Sequence, residues 1–331
     1  MTDIQRGHYI GEFQEGGLGC AVAAVGDVGG LGHDGLLVGA YQASSGPGQL
    51  PPIVGGPSFK DDPPSLPAAG AAYLLYEPPS EINYRIRSAA DAVFIGEHEI
   101  HNAGFAVGGR GDYNRDGHDD ILLGAPGQFC TQNALHGGPG ATYCDVELPP
   151  ESVHMFLGGG NPGKTPAHRL EGLYIVNEAD LSVYASHPDP EVAPNSTPHS
   201  TFGMSVAWTN SMGRPGIDDF IIGAPKLNRA YLVYGSDDAL TPVMTTESAA
   251  AVMYLGDHAD EHAVTAQHVP TSHVLYGADA AGRVVAGGGD IDGDGIEDVA
   301  VSAPGQLWFR SGPTSLAGRV FVMPGSRPEQ E

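Results

Sequence analysis

The sequence predicts an all-β fold: a β-propeller of four four-stranded blades forming a single domain over 1–331, its ring closed by the N-terminal strand. Three observations predict it. Gly and Pro are abundant, 49 and 27 of 331 residues, yet hydrophobic residues still make up 41%, a mixture that suits many short strands joined by turns better than long helices or disorder. The chain repeats itself over 9–77, 93–158, 173–236 and 252–325, and internal repetition is the mark of propellers and solenoids. Each repeat also supplies short apolar runs rich in Val, Ile, Leu and Tyr, with the length and composition of strands.

Taken in order, the first repeat offers Leu18–Val22, Gly35–Ala40 and Ala72–Tyr76, and the second Gly104–Val107, Asp120–Pro126 and Val153–Leu157. The third offers Phe202–Val206, Asp219–Pro225 and Ala230–Tyr234, and the fourth Gly282–Val285, Asp298–Pro304 and Arg319–Met323. Small residues dominate the first run of each repeat, as expected where strands crowd around an axis. Larger side chains in the second and third runs suit packing of blade on blade. An outer strand is expected before each repeat, at Tyr9–Glu12, Val93–Glu97, Leu173–Val176 and Val252–Gly256. The first of these has no blade before it, and the fourth repeat stops after its third strand. The N-terminal strand is therefore expected to complete the last blade, removing the exposed edges that invite aggregation. The long connections 42–70, 128–150, 178–200 and 257–276, without strands of their own, are expected to be functional surfaces or mobile loops. The first, rich in Pro and Gly, is expected to carry little regular structure and to be a binding surface or mere decoration.

Forty acidic residues against fifteen basic give a formal net charge of −25, which repels phosphate backbones and anionic membrane surfaces and excludes nucleic acid as a partner. No apolar run approaches the roughly 18 residues that span a bilayer, so no direct membrane insertion is expected. Met1–Glu15 lacks the charged and apolar regions of a signal peptide, so an exported chain would have lost its leader or use another route. Cys130 and Cys144 flank a Gly-rich loop, and a disulfide closing about 15 residues would contribute roughly 3 kcal/mol in the chain-entropy model; two reduced thiols in a cytosolic protein are the alternative. Cys20, within a run of small residues, is expected to be a buried, inert thiol.

The strongest chemistry lies between the first and second strands of repeats two and four. Asp112, Asn114, Asp116, Gly117 and Asp120 form D-x-N-x-D-G-x-x-D, and Asp290, Asp292, Asp294, Gly295 and Asp298 form D-x-D-x-D-G-x-x-D. Oxygen side chains at alternate positions wrap a hard cation, Gly permits the sharp turn, and the main-chain carbonyl at the seventh position, His118 or Ile296, can join the shell. Such an oxygen set suits Ca2+, whereas zinc sites prefer His and Cys. Two Ca2+ sites are thus expected, in alternate blades. In repeat one Asp27 is followed by Gly29 and Leu31, and repeat three holds Ser211, Gly213 and Pro215 before Asp219, so no calcium is expected in either.

Phe105, Phe202-Gly203, Gly124-Ala125-Pro126 and Gly223-Ala224-Pro225, with the acidic loops between them, resemble the FG-GAP repeats of integrin α-chain heads, the first element being degenerate at Leu18-Gly19 and Gly282-Arg283. The resemblance covers nearly the whole chain and implies an FG-GAP propeller with calcium loops on one face and ligand contacts through its loops. Integrin heads have seven blades whereas only four repeats are found here.

Other signals are weaker. Arg110-Gly111-Asp112 spells an integrin-recognition tripeptide, but Asp112 is already needed as the first calcium ligand. His258, Asp260, Glu261 and His262, or His98 and His101, could form another metal site, though without helical spacing or Cys partners they read as solvated loop side chains. Asn195-Ser196-Thr197 is an N-glycosylation acceptor pattern. No nucleophile elbow, P-loop or Rossmann fingerprint is present, and Gly158-Gly159-Gly160 reads as a turn. The expectation is a non-enzymatic, extracellular or cell-surface adhesion or interaction module that takes protein or glycan ligands through its long loops. A self-assembling subunit of a filament, surface layer or virion, and an accessory propeller of a hydrolase, are the alternatives.

Overall fold

The computed structural model describes residues 9–12, 16–44, 66–77, 84–127, 150–159, 169–186, 201–238, 240–255, 280–304 and 318–325. Cys130, Cys144, Asn195 and the group from His258 to His262 lie outside them. The described strands, in chain order, are β1 (Tyr9–Ile10), β2 (Leu18–Gly26), β3 (Gly35–Ala40), β4 (Ala71–Leu75), β5 (Tyr84–Arg85), β6 (Ala92–Ile95), β7 (Ala106–Gly111), β8 (Asp120–Ala125), β9 (Ser152–Phe156), β10 (Gly172–Ile175), β11 (Leu181–Tyr184), β12 (Ser205–Arg214), β13 (Ile217–Ala224), β14 (Arg229–Val233), β15 (Val243–Thr245), β16 (Ala250–Leu255), β17 (Val285–Gly289), β18 (Asp298–Ala303) and β19 (Arg319–Met323). Single helical turns α1 (Ile86–Ala89) and α2 (Thr246–Ala249) precede β6 and β16, and a 3-10 turn, Val176–Glu178, precedes β11. No described helix is long and apolar enough to cross a membrane.

Four antiparallel meanders follow the repeats: β2-β3-β4-β6, β7-β8-β9-β11, β12-β13-β14-β16 and β17-β18-β19. Their innermost strands lie side by side, β2 on β7, β7 on β12 and β12 on β17. The small residues expected there are needed: a Cβ on Gly109 would lie 2.4 Å from the Cα of Val25, and one on Gly287 would lie 2.4 Å from the carbonyl oxygen of Trp208. The architecture fits a β-propeller. Among the described residues no closed ring is formed, and the fourth sheet has three strands.

Two outer-strand expectations need correction. β10 is a strand, but it pairs in parallel with β6 of the first sheet. The fourth strand of the second sheet is β11, antiparallel to β9, inside a connection expected to lack strands. β15 likewise pairs in parallel with β11. β6, β11 and β16 thus each follow a short strand and a helical turn, and for β11 and β16 that short strand reaches back to the fourth strand of the sheet before. β1 takes part in the same pattern, pairing in parallel with β5 and not, among the described residues, with β19 as expected.

The sheets dock through a repeated backbone contact. Gly39, Gly124 and Gly223, in the second strands, face Gly104, Gly203 and Gly282 of the following sheet so closely that a Cβ would lie 2.0–2.1 Å from the carbonyl oxygen. The facing glycines have φ of +78°, +83° and +88°, a conformation that costs L-residues roughly 1–2 kcal/mol. Gly104 and Gly203 also donate N–H bonds of 3.1 Å to the carbonyls of Gly124 and Gly223, and Gly282 donates one of 3.0 Å to Ser302. The paired motif glycines therefore have one physical role, letting two backbones meet. Ser302 stands at the equivalent position of the fourth sheet, where no following sheet is docked among the described residues.

Apolar clusters fill each junction. Leu37, Leu74 and Phe94 meet Ile121, Leu123 and Phe156; Leu122, Met155 and Val183 meet Phe220, Ile222 and Tyr231; Ile221 and Leu232 meet Val299 and Val301. Cys20, expected to be buried, is exposed on β2. The small residues of an innermost strand leave this position open to solvent, with the Sγ reaching the Gly104 carbonyl of the second sheet at 3.5 Å.

Candidate metal centre

The loops joining the first and second strands of the second and fourth sheets share one hydrogen-bond scheme. The ninth-position carboxylate accepts the second residue's N–H: Tyr113 to Asp120 Oδ2 at 2.8 Å, and Ile291 to Asp298 Oδ2 at 2.7 Å. The first carboxylate accepts the glycine N–H, Gly117 to Asp112 Oδ2 and Gly295 to Asp290 Oδ2, both at 2.9 Å. Asn114 Oδ1 and Asp292 Oδ1 each accept the fifth residue's N–H at 3.1 Å. Asp116 Oδ1 and Asp294 Oδ1 accept the N–H groups of His118 and Ile296 at 2.9 and 2.8 Å. Gly117 and Gly295 have φ of +88° and +85°, which is why the sixth position is glycine in both.

In the fourth-sheet loop the side-chain oxygens converge. Asp290, Asp292 and Asp294 are all exposed and present carboxylate oxygens within 4.8 Å of one another. In the other loop the neutral Asn114 occupies the third position, and its Nδ2 donates to Asp116 Oδ2 at 3.0 Å, so one carboxylate is replaced by an amide that partly satisfies its neighbour. The ninth-position residues sit deeper. Asp120 and Asp298 are 0% and 3% exposed, and each also accepts an N–H from the loop beyond the third strand, Gly158 at 2.8 Å and Gly325 at 2.9 Å. Burial raises the Asp120 carboxyl well above the usual carboxylate range, and Asp116 and Asp112 push it further, against the pull of the Gly158 and Tyr113 N–H groups. The N–H groups of Gly325 and Ile291 instead hold Asp298 below that range.

The ninth position has a role apart from any ion. In the third sheet, where the metal pattern is missing, Asp219 Oδ1 accepts the N–H of Gly235 at 2.7 Å, repeating the bonds to Gly158 and Gly325. Asp219→Ala would strand a buried N–H and should cost about 1–3 kcal/mol, read as a lower urea midpoint with calcium affinity unaltered. The rest of that loop is a tight hairpin in which Arg214 pairs with Ile217 around Pro215-Gly216, with Gly216 at φ +78°, as a type II turn requires. In the first sheet Asp27 accepts the N–H groups of Leu31 and Gly32 at 2.6 and 2.8 Å.

A second set of carboxylates, not anticipated from the motif, links neighbouring sheets. The residue before each ninth-position Asp receives the loop-start N–H of the preceding sheet: Asp27 to Asp119 Oδ2 at 2.8 Å, Asp112 to Asp218 Oδ2 at 2.9 Å and Asn210 to Glu297 Oε2 at 2.7 Å. An acidic residue recurring at one offset was the available signal. The Asp112 loop is therefore tied directly to the third sheet. Within Arg110-Gly111-Asp112, Arg110 pairs with Asp34 and the Asp112 carboxylate accepts N–H bonds from Asp116 at 3.0 Å and Gly117 at 2.9 Å, so the tripeptide is engaged within the fold. His98 is about half exposed. His101, expected in solvent, is only 1% exposed because its ring bonds Ser152 of the second sheet.

Comparison with known proteins places these features. An FG-GAP repeat is matched over residues 281–323. The chain is 32% identical to integrin alpha pat-2 of Caenorhabditis briggsae over 198 residues, 58% of this chain and 12% of that protein. It is 30% identical to integrin alpha-E of Homo sapiens over 183 residues, 53% of this chain and 14% of that one. It is 28% identical to integrin alpha-2 of Bos taurus over 179 residues, 52% and 14% of the two chains. The chain thus spans only about an eighth of the length of these relatives.

Proposed function

As a chain of the FG-GAP, integrin α-like kind, we propose that this protein is a calcium-dependent propeller module for adhesion or protein interaction, working outside the cell or at its surface. Ca2+ is assigned to two loops, with Asp112, Asn114, Asp116, Asp120 and the His118 carbonyl in one, and Asp290, Asp292, Asp294, Asp298 and the Ile296 carbonyl in the other. The observation that carries this reading is the hydrogen-bond scheme shared by two loops about 180 residues apart in the chain, one of which gathers three carboxylates within 4.8 Å. Those groups repel one another unless a cation lies among them, and all-oxygen donors at this spacing favour calcium.

The module is read as a binder of protein ligands through the loops between its strands, and not as an enzyme. Bound calcium would hold the Asp112 loop against Asp218 of the next sheet and so couple ion occupancy to the shape of the loop face. Beads coated with the chain should adhere to surfaces bearing extracellular-matrix proteins in millimolar calcium and detach in chelator. The Asp116→Ala/Asp294→Ala variant should fail to adhere. Equal adhesion by that variant, or adhesion indifferent to chelator, rules the reading out.

A further inference from the structure

Between the first and second sheets lies a closed polar chain that plays no part in the calcium loops. Third strands carry an aromatic residue at one equivalent position, Tyr73, Tyr231 and Phe321, paired with Val38, Ile222 and Val301. The second sheet has His154 there, opposite Leu123. His154 is 0% exposed and His101, from the connector between the two sheets, 1%.

The bonding direction follows from one donor. The Glu97 N–H donates to His101 Nδ1 at 3.3 Å, so the neutral His101 ring carries its proton on Nε2 and donates to Ser152 Oγ at 3.1 Å. Ser152 then gives its hydroxyl proton to His154 Nε2 at 2.8 Å, which leaves the His154 proton on Nδ1, donating to Ser182 Oγ at 2.8 Å. Every member is satisfied with both rings neutral. A second proton on His101 would oppose the Glu97 N–H, and one on His154 would oppose the Ser152 hydroxyl.

Among the described residues no carboxylate bonds either ring. The described titratable groups facing the chain are Glu97 and His98 from the connector and Glu151 and Tyr184 from the second sheet. His98 lies 5.5 Å from His101, ring to ring, and Tyr184 6.1 Å from His154. Glu97 bonds Asn177 and pairs with His98, and the Glu151 carboxylate accepts the N–H groups of Thr201 and Phe202. We propose that the His101–Ser152–His154–Ser182 chain is an acid-released latch, closing the first sheet's connector onto the second sheet near neutral pH and letting go on acidification.

Burial pushes His101 down to about 4, with His98 adding to it and the Pro150 carbonyl opposing, and pushes His154 well below its usual value. Both folded-state values thus lie below that of an exposed histidine. The opened form takes up protons first, so the latch is fully held above about pH 6.5 and weakens as pH falls toward 4. The opening equilibrium should rise by up to about 50-fold per histidine between pH 6.5 and 4.5.

Amide hydrogen exchange on the calcium-loaded chain, corrected for intrinsic rates, tests this at pH 7 and pH 5. Protection should drop at least tenfold in residues 97–104, 152–156 and 181–184, while β12 and β13, which contain no histidine, keep theirs. His101→Gln/His154→Gln should retain neutral-pH protection within a few-fold and lose most of the acid response. Uniform loss across all sheets, no loss at pH 5, or an undiminished acid response in the variant overturns the proposal. If that variant does not fold, the wild-type pattern decides: loss confined to the three segments supports the latch, and any other pattern sinks it.

Discussion

Gly124→Ala is expected to destabilise the chain by about 3 kcal/mol or more, because the new Cβ would sit 2.1 Å from the carbonyl oxygen of Gly203. Neither partner can yield easily. Gly203 holds a left-handed turn at φ +83°, and its N–H is bonded to the Gly223 carbonyl of its own sheet at 3.1 Å, so relief of the clash must distort the turn that brings the third sheet against the second. Gly39→Ala should behave alike, its Cβ falling 2.1 Å from the carbonyl of Gly104. The control is Gly293→Ala. Gly293 has φ of +81° with nothing within 4 Å of the added atom, so only the conformational penalty of roughly 1–2 kcal/mol remains. Urea midpoints of the three variants measure the difference; a Gly124→Ala protein within 1 kcal/mol of wild type would show that sheet docking does not depend on this contact.

Removing calcium should have the other large effect. An ion bound only by the folded chain stabilises it by about 2.7 kcal/mol per site at a hundredfold excess over Kd, so chelation acting on two sites should cost about 5 kcal/mol and lower Tm by several degrees. The two sites should differ. Asp294→Ala removes one of three gathered carboxylates from an exposed loop, and should abolish about half of the chelator sensitivity while changing calcium-free stability little. Asp116→Ala acts on a loop bonded across to Asp218 and should also loosen the junction between second and third sheets, so part of its cost persists without calcium. Thermal melts in calcium and in chelator separate these cases. An identical melt in both solutions would count against calcium in either loop.

Much of the fold was legible because its constraints are local and repeated. The glycine and small-residue runs of β2, β7, β12 and β17, and the Val- and Ile-rich second strands, are written at one spacing in each repeat. The outer strands were harder, since β11 and β10 are both four-residue runs. Which of them completes the second sheet depends on pairing with β9, a contact between distant segments that local pattern does not carry. The partner of β1 was misjudged for the same reason.

At the loops, the motif named the oxygen-bearing residues but not their division of labour. Asp120 and Asp298 use both carboxylate oxygens on backbone N–H groups, one from a loop 38 residues on and one 27, and Asp219 shows the same use without the rest of the pattern. Asp119, Asp218 and Glu297 resemble any solvated acidic residue until the neighbouring sheet is in place. His101 reads as a loop histidine because its burial is created by Ser152 and His154, some fifty residues later.

The central assignment is most directly tested by counting calcium. Equilibrium binding by titration calorimetry on the intact chain should give two ions for the wild type, one each for Asp116→Ala and Asp294→Ala, and none for the double variant. No binding at millimolar calcium, or two ions still bound by the double variant, would contradict it.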